Sequence, residues 1–115
     1  MKIEKENRPT RFYSKLQEKA VAKSLGGTND IQSGGGNFNK YDVLVDEWVI
    51  ECKTKVTPHE SMTIHKEWFD KAEEERAQML KSYAAVCFSF GDGKNYYAMD
   101  EKTFKFLLAV SRGEV

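Results

Sequence analysis

NKYDVLVDEWVIECKTK, residues 39–55, sets three ionisable side chains, Asp42, Glu51 and Lys53, into an otherwise apolar strand pattern. Strand side chains alternate faces with period two. Glu51 and Lys53 therefore share one face with Val49, while Trp48, Ile50 and Cys52 take the other. With Asp46 and Glu47 as the central residues of a hairpin turn, Val45 pairs with Trp48, Leu44 with Val49 and Val43 with Ile50, and Asp42 falls opposite Glu51. Directly opposed like charges destabilise a sheet, and buried carboxylates are costly unless paired or bound to a metal. The arrangement asks for a cation. Lys53 answers in part, and a divalent ion held by Asp42 and Glu51 answers better. Asp-Glu lacks the glycine or asparagine that tight turns favour, and a three-residue loop would separate the two acids.

The chain has 115 residues, enough for one domain that buries roughly two thirds of its unfolded surface. The reading is a basic tail over residues 1–10 and one domain over residues 11–115. Cys52 and Cys87 lie in apolar runs without zinc-ligand spacing, which fits reduced, buried thiols in an intracellular protein. The amino terminus has no apolar core for a signal peptide, and no run approaches membrane-spanning length. A cytoplasmic protein with no membrane contact is expected.

Eighteen basic and eighteen acidic residues cancel, which by itself argues against a phosphate-rich partner. Their distribution argues otherwise. Residues 1–23 carry seven Lys or Arg, among them Arg8, Arg11 and Lys15, against three Glu, and so hold +4 against −4 in the remainder. That end is a candidate phosphate-binding arm or, equally on charge alone, a solvated helix face with a tail.

In chain order, Phe12, Leu16 and Ala20, with Tyr13 and Val21 beside them, give an apolar stripe at helical spacing over residues 10–25, stopped by Gly26-Gly27. Glu18 sits at the stripe's edge, where its ordinary role is a solvent-facing partner of Lys15 or Lys19. Residues 28–40 read as a loop with a short strand near 30–33, and the triple glycine at 34–36 has no following Gly-Lys-Ser/Thr, so it is not a P-loop. A second helix is predicted over residues 64–83, with Ile64, Trp68, Ala72, Met79, Leu80 and Tyr83 inward and Glu73, Glu74 and Glu75 mostly outside. Trp68 and Phe69 read as core or interface, and His59 and His65, which do not match a zinc pair, as surface. Strands over residues 84–90 and 96–100 and a helix over 101–110 complete an α/β order that implies a mixed sheet with helices on its faces.

An acidic residue in a first helix, a Ser-Gly loop, an Asp near a strand start and Glu-x-Lys in the next strand is the pattern of the PD-(D/E)XK nucleases. Glu18, Ser33 with Gly34, Asp42 and Glu51-Cys52-Lys53 match it. The chain resembles, within that superfamily, the small archaeal and phage Holliday-junction resolvases over about residues 11–100, with Tyr41 standing where the superfamily name has Pro.

The resemblance implies a restriction-endonuclease-like core, a central mixed β-sheet flanked by α-helices. It implies a metal-dependent endonuclease of DNA recombination and repair that resolves four-way junctions by paired nicks, leaving 5′-phosphate and 3′-hydroxyl ends. Glu18, Asp42, Glu51 and Lys53 are the implied catalytic residues. Asp42, Glu51 and the backbone carbonyl of Cys52 would hold Mg²⁺, with Mn²⁺ able to substitute, and Glu18 would add a ligand directly, through water or to a second ion. Ser33, Arg8, Arg11, Lys15 and Lys55 are the expected DNA contacts. Branched DNA is the expected partner and a homodimer the expected assembly, to which the apolar side chains of Trp68, Phe69, Phe104 and Phe106 would contribute. The same chemistry on duplex ends, flaps or restriction sites, and a non-catalytic nucleic-acid-binding module of this fold, are the alternatives.

Overall fold

The computed structural model describes residues 10–29 and 41–115. Residues 1–9 of the tail expected over 1–10, with Arg8, and the strand near 30–33, Ser33 and the triple glycine lie outside the described residues, while Thr10, expected in the tail, is the first residue of the opening helix. The chain opens with α1 (Thr10–Leu25), followed by β1 (Thr28–Asn29), β2 (Val43–Val45) and β3 (Trp48–Thr54). After a connector come α2 (Lys66–Gln78), β4 (Tyr83–Ser89), β5 (Asn95–Ala98) and α3 (Glu101–Ser111). Among the described residues the strands form one five-stranded sheet in the order β1-β2-β3-β4-β5. β3 and β4 are parallel and the other neighbours antiparallel, so the sheet is mixed and the chain is α/β.

The hairpin register is the expected one: Val43 pairs with Ile50, Leu44 with Val49 and Val45 with Trp48. The Asp46-Glu47 turn holds without glycine because Asp46 takes φ of +50°, a conformation that Asp tolerates better than most residues. The start of β4 then clamps the turn, since the backbone amides of Ser82 and Tyr83 both donate to the Glu47 carbonyl at 2.9 Å. Ser82 Oγ also donates to Glu47 Oε1 at 2.9 Å.

The core is built from small and β-branched side chains. Val21 and Ala22 of α1 pack on Val43, Ile50, Cys52, Ala85 and Cys87, so α1 covers the sheet face that carries Ile50 and Cys52. Burying a valine completely is worth about 2 kcal/mol, and Val21, Val43, Val49 and Val86 are each fully buried. Glu51, on the opposite face of β3, meets Lys71 of α2. α3 is capped by Asp100, whose side chain accepts from the Thr103 amide at 2.9 Å, and Phe106 stacks on Tyr83 at 4.7 Å between ring centroids. Among the described residues no helix is long and apolar enough to cross a membrane.

Two helix faces differ from the expected ones. α1 turns Gln17, Glu18, Val21 and Ala22 inward and leaves Leu16 49% exposed, a rotation of about 100°, one residue's step, from the apolar stripe. Polar partners explain it: Gln17 Nε2 donates to the Lys53 carbonyl at 3.0 Å and to Asn95 Oδ1 at 3.4 Å, holding the helix to the end of β3. α2 is shorter than expected and ends at Gln78. Leu80 sits beyond it at φ +57°, its amide donating to Ala77 O and the Lys81 amide to Arg76 O. These are the two bonds of a Schellman cap. Leu80 therefore points to solvent rather than to the core, and Glu75, expected outside, is buried.

Candidate active site

β3 delivers Glu51 and Lys53 to the floor of an open cleft of about 440 Å³. Asp42, one residue before β2, reaches it from the neighbouring strand, and Glu18 reaches it from the inner face of α1. Asp42 is not a rung of the ladder. Its Oδ2 instead accepts the Cys52 backbone amide at 2.7 Å, which fixes the carboxylate beside the Glu51-Cys52 peptide.

Three carboxyl groups here are buried: Glu51 is 1% exposed, Glu75 5% and Glu18 6%. Among the described residues no hydrogen bond reaches Oε1 of Glu18, Glu51 or Glu75. Burial, with Asp42 adding repulsion, pushes Glu18 up to about 7. The same two causes push Glu51 up to about 6 against the pull of Lys71 and Lys53. Glu75 rises to about 8, through burial and then the charge of Glu51. Groups that resist ionisation when bare are groups that gain from a cation.

Three lysines supply part of that charge. Lys15 Nζ lies 3.5 Å from Glu18 Oε1. Lys53 Nζ and Lys71 Nζ converge on a single oxygen, Glu51 Oε2, at 3.4 and 3.2 Å. Lys71 also lies 3.8 Å from Glu75 Oε2. Burial pulls Lys71 down, but the carboxylates of Glu51, Asp42 and Glu75 outweigh it and raise its pKa. Lys53 Nζ stands 5.4 Å from the centre of the Trp68 ring, so Trp68 lines the cleft and steadies this ammonium instead of filling the core.

The residues expected to act together thus divide. Glu18, Asp42, Glu51, Cys52, Lys53 and Lys55 line the one cleft, Lys15 turns to Glu18, and Arg11 is exposed on the first turn of α1. Glu18 is not the solvent-facing partner that its helix position suggested, although its pairing with Lys15 is as expected. Sequence reasoning missed Gln17, Lys71 and Glu75. The spacing of Lys71 and Glu75, four apart on a helix, was visible, but only the tertiary fold brings that pair against Glu51.

Among the described residues no group of three or more His, Cys, Asp or Glu side chains is arranged to hold a metal ion. Mg²⁺ does not require such a cage, since it keeps several waters and takes one or two carboxylates plus substrate phosphate. Asp42 and Glu51, hard oxygen donors side by side with Glu51 Oε1 unbonded, fit that requirement. A larger groove of about 830 Å³ between α2, β4 and α3 is lined by Phe69, Tyr83, Met99 and Phe106 and by surface ion pairs such as Arg76 with Glu73. Of the three buried carboxyl groups, Glu18 and Glu51 line the smaller cleft. Comparisons with protein-family models, with curated proteins and with solved structures returned no match.

Proposed function

We propose that the chain is a metal-dependent DNA endonuclease with a restriction-endonuclease-like core of the PD-(D/E)XK type, acting on four-way junctions. One observation carries the reading: Asp42, Glu51 and Lys53 line one cleft with Glu18, and the buried acids keep oxygens without hydrogen bonds. The element order supports it. One helix, an antiparallel run β1 to β3, then a helix crossing to a parallel strand is the order such a core takes.

Asp42, Glu51 and the Cys52 backbone carbonyl would hold the ion, with Glu18 as the further carboxylate. Bound Mg²⁺ supplies charge neutralisation at the scissile phosphate and a more acidic water. Lys53, fixed between Glu51 and the Trp68 ring, orients the attacking water and offsets negative charge as it builds on the phosphate oxygens. Water adds to phosphorus, the bond to the 3′ oxygen breaks, and the products carry 5′-phosphate and 3′-hydroxyl ends. Lys55 at the cleft and Arg11 on α1 offer charges for flanking phosphates. A homodimer would set two such clefts on opposing strands, and Phe104, 55% exposed, leaves apolar surface on α3 for the contact.

The test is a labelled four-way junction beside its linear duplex arms, with Mg²⁺ or with EDTA. Paired nicking of the junction that needs Mg²⁺ and survives excess linear competitor supports the whole reading. Equal cutting of every DNA retains the nuclease and removes the junction preference, while binding without cutting favours a non-catalytic module.

A further inference from the structure

Lys71 has an unusual position for a lysine on the outer part of a helix. Its ammonium lies 3.2 Å from Glu51 Oε2 and 3.8 Å from Glu75 Oε2. Glu51 already has Lys53 at 3.4 Å on that same oxygen, so two ammonium groups crowd one carboxylate oxygen while Oε1 has no hydrogen bond. Four carboxyl groups, Glu18, Asp42, Glu51 and Glu75, face Lys15, Lys53 and Lys71. A divalent ion at Asp42 and Glu51 would repel the two ammonium groups already on Glu51 Oε2 and favour the withdrawal of one from that oxygen.

Lys71 is the one placed to withdraw. Its side chain is 53% exposed, against 34% for Lys53, which the Trp68 ring also holds. A second carboxylate, Glu75, waits one helical turn away with an oxygen 3.8 Å from the ammonium, so an exchange of partners would need no shift of α2. The same exchange accounts for Glu75, a buried acid that is costly without a cationic partner.

We propose that Lys71 is a built-in counter-ion for Glu51: it occupies the cation position beside that carboxylate in the metal-free protein and yields it to a divalent ion by moving onto Glu75. Lys71 is a positioning residue here, and the inference rests on the metal-site reading given above. It makes metal affinity a competition that the protein sets through its own side chains.

Calorimetric titration with Mn²⁺ separates the possibilities, using wild type, Lys71→Met, Lys71→Arg, Glu75→Gln and the Lys71→Met/Glu75→Gln double variant. Lys71→Met is expected to bind Mn²⁺ about tenfold more tightly, which is the scale of one lost competitor, and to melt lower without metal. Lys71→Arg, which keeps the charge, binds as wild type does. Glu75→Gln weakens binding severalfold in the wild-type background and has no effect once Lys71 is gone, a coupling that double-mutant cycles detect. Binding to Lys71→Met no tighter than to wild type overturns the inference, as does an undiminished Glu75→Gln effect in the Lys71→Met background. Absence of Mn²⁺ binding in both wild type and Lys71→Met overturns the metal site itself, a distinct outcome.

Discussion

Asp42 Oδ2 accepts the Cys52 backbone amide at 2.7 Å, continuing the β2–β3 hairpin past its last rung with a side chain in place of a backbone carbonyl. The bond has two effects. It anchors the Asp42 carboxylate next to Glu51 and Glu18, and it makes that placement costly, because the charge of Asp42 raises both neighbours' pKa values.

Asp42→Asn separates these effects. The amide oxygen still accepts from Cys52, while the repulsion on Glu18 and Glu51 disappears. Metal-free Asp42→Asn is expected to be more stable than wild type at pH 8 by about 1 kcal/mol, roughly one pKa unit's worth of relieved repulsion. On the proposed function, Mg²⁺-dependent cleavage is expected to fall by about 100-fold or more, since a proposed ligand to the ion would be neutralised. Urea unfolding and a single-turnover assay on the same preparation read both.

The buried acids give the metal-free protein an inverted pH dependence. Glu51, Glu18 and Glu75 titrate at about 6, 7 and 8, against an ordinary value of 4.5. Between those limits the native state holds protons that the unfolded state has lost, so stability falls as pH rises from about 4.5 through 8, at up to 1.4 kcal/mol per pH unit for each group. Thermal melts in EDTA from pH 5 to 8.5 should show the decline. On the proposed metal site, Mg²⁺ would bind the ionised forms, and its stabilisation is expected to grow with pH over the same window.

Leu80→Gly is expected to stabilise the protein. Leu80 holds φ of +57° at the end of α2 and is 87% exposed, so its side chain contributes little packing while its backbone is strained. Left-handed backbone costs a non-glycine residue about 1–2 kcal/mol, partly returned by the greater freedom of glycine in the unfolded chain. The net expectation is a gain of about 1 kcal/mol, or about 4 °C in melting temperature.

Gly27→Ala has the opposite sign. A Cβ at Gly27 would run into the Leu44 carbonyl and Val45 Cβ, where β1 passes against β2. Overpacking against backbone that cannot move costs about 3 kcal/mol, and differential scanning calorimetry should show the loss.

The two helix ends explain what sequence made legible. α1 and α2 both finish on a left-handed residue spanned by a bond from the next amide, Gly27 to Ala22 O and Lys81 to Arg76 O, but the first places Gly26 at φ +77° and the second places Leu80 at φ +57°. Glycine announces such a position, and leucine at helical spacing suggests continuation, so the end of α1 can be read from the sequence and that of α2 cannot. The hairpin was legible because a turn centred on Asp46 and Glu47 fixes the register that pairs Val43 with Ile50 and Leu44 with Val49. Asp42, Glu51 and Lys53 followed from that register. Glu75 and Lys71 did not, because a Glu-Glu-Glu run reads as solvated until the sheet face beneath it is known to carry a buried carboxylate. Gln17 was hidden likewise, its inward turn set by a carbonyl at the end of β3 rather than by apolar spacing.

Single-turnover cleavage of a four-way junction by wild type, Glu51→Gln and Lys53→Ala, with junction affinity measured alongside, tests the site most directly. The expected result is Mg²⁺-dependent nicking by wild type and losses of about 100-fold or more in both variants, with binding retained. Cleavage by either variant at the wild-type rate would contradict the assignment of the cleft as the active site.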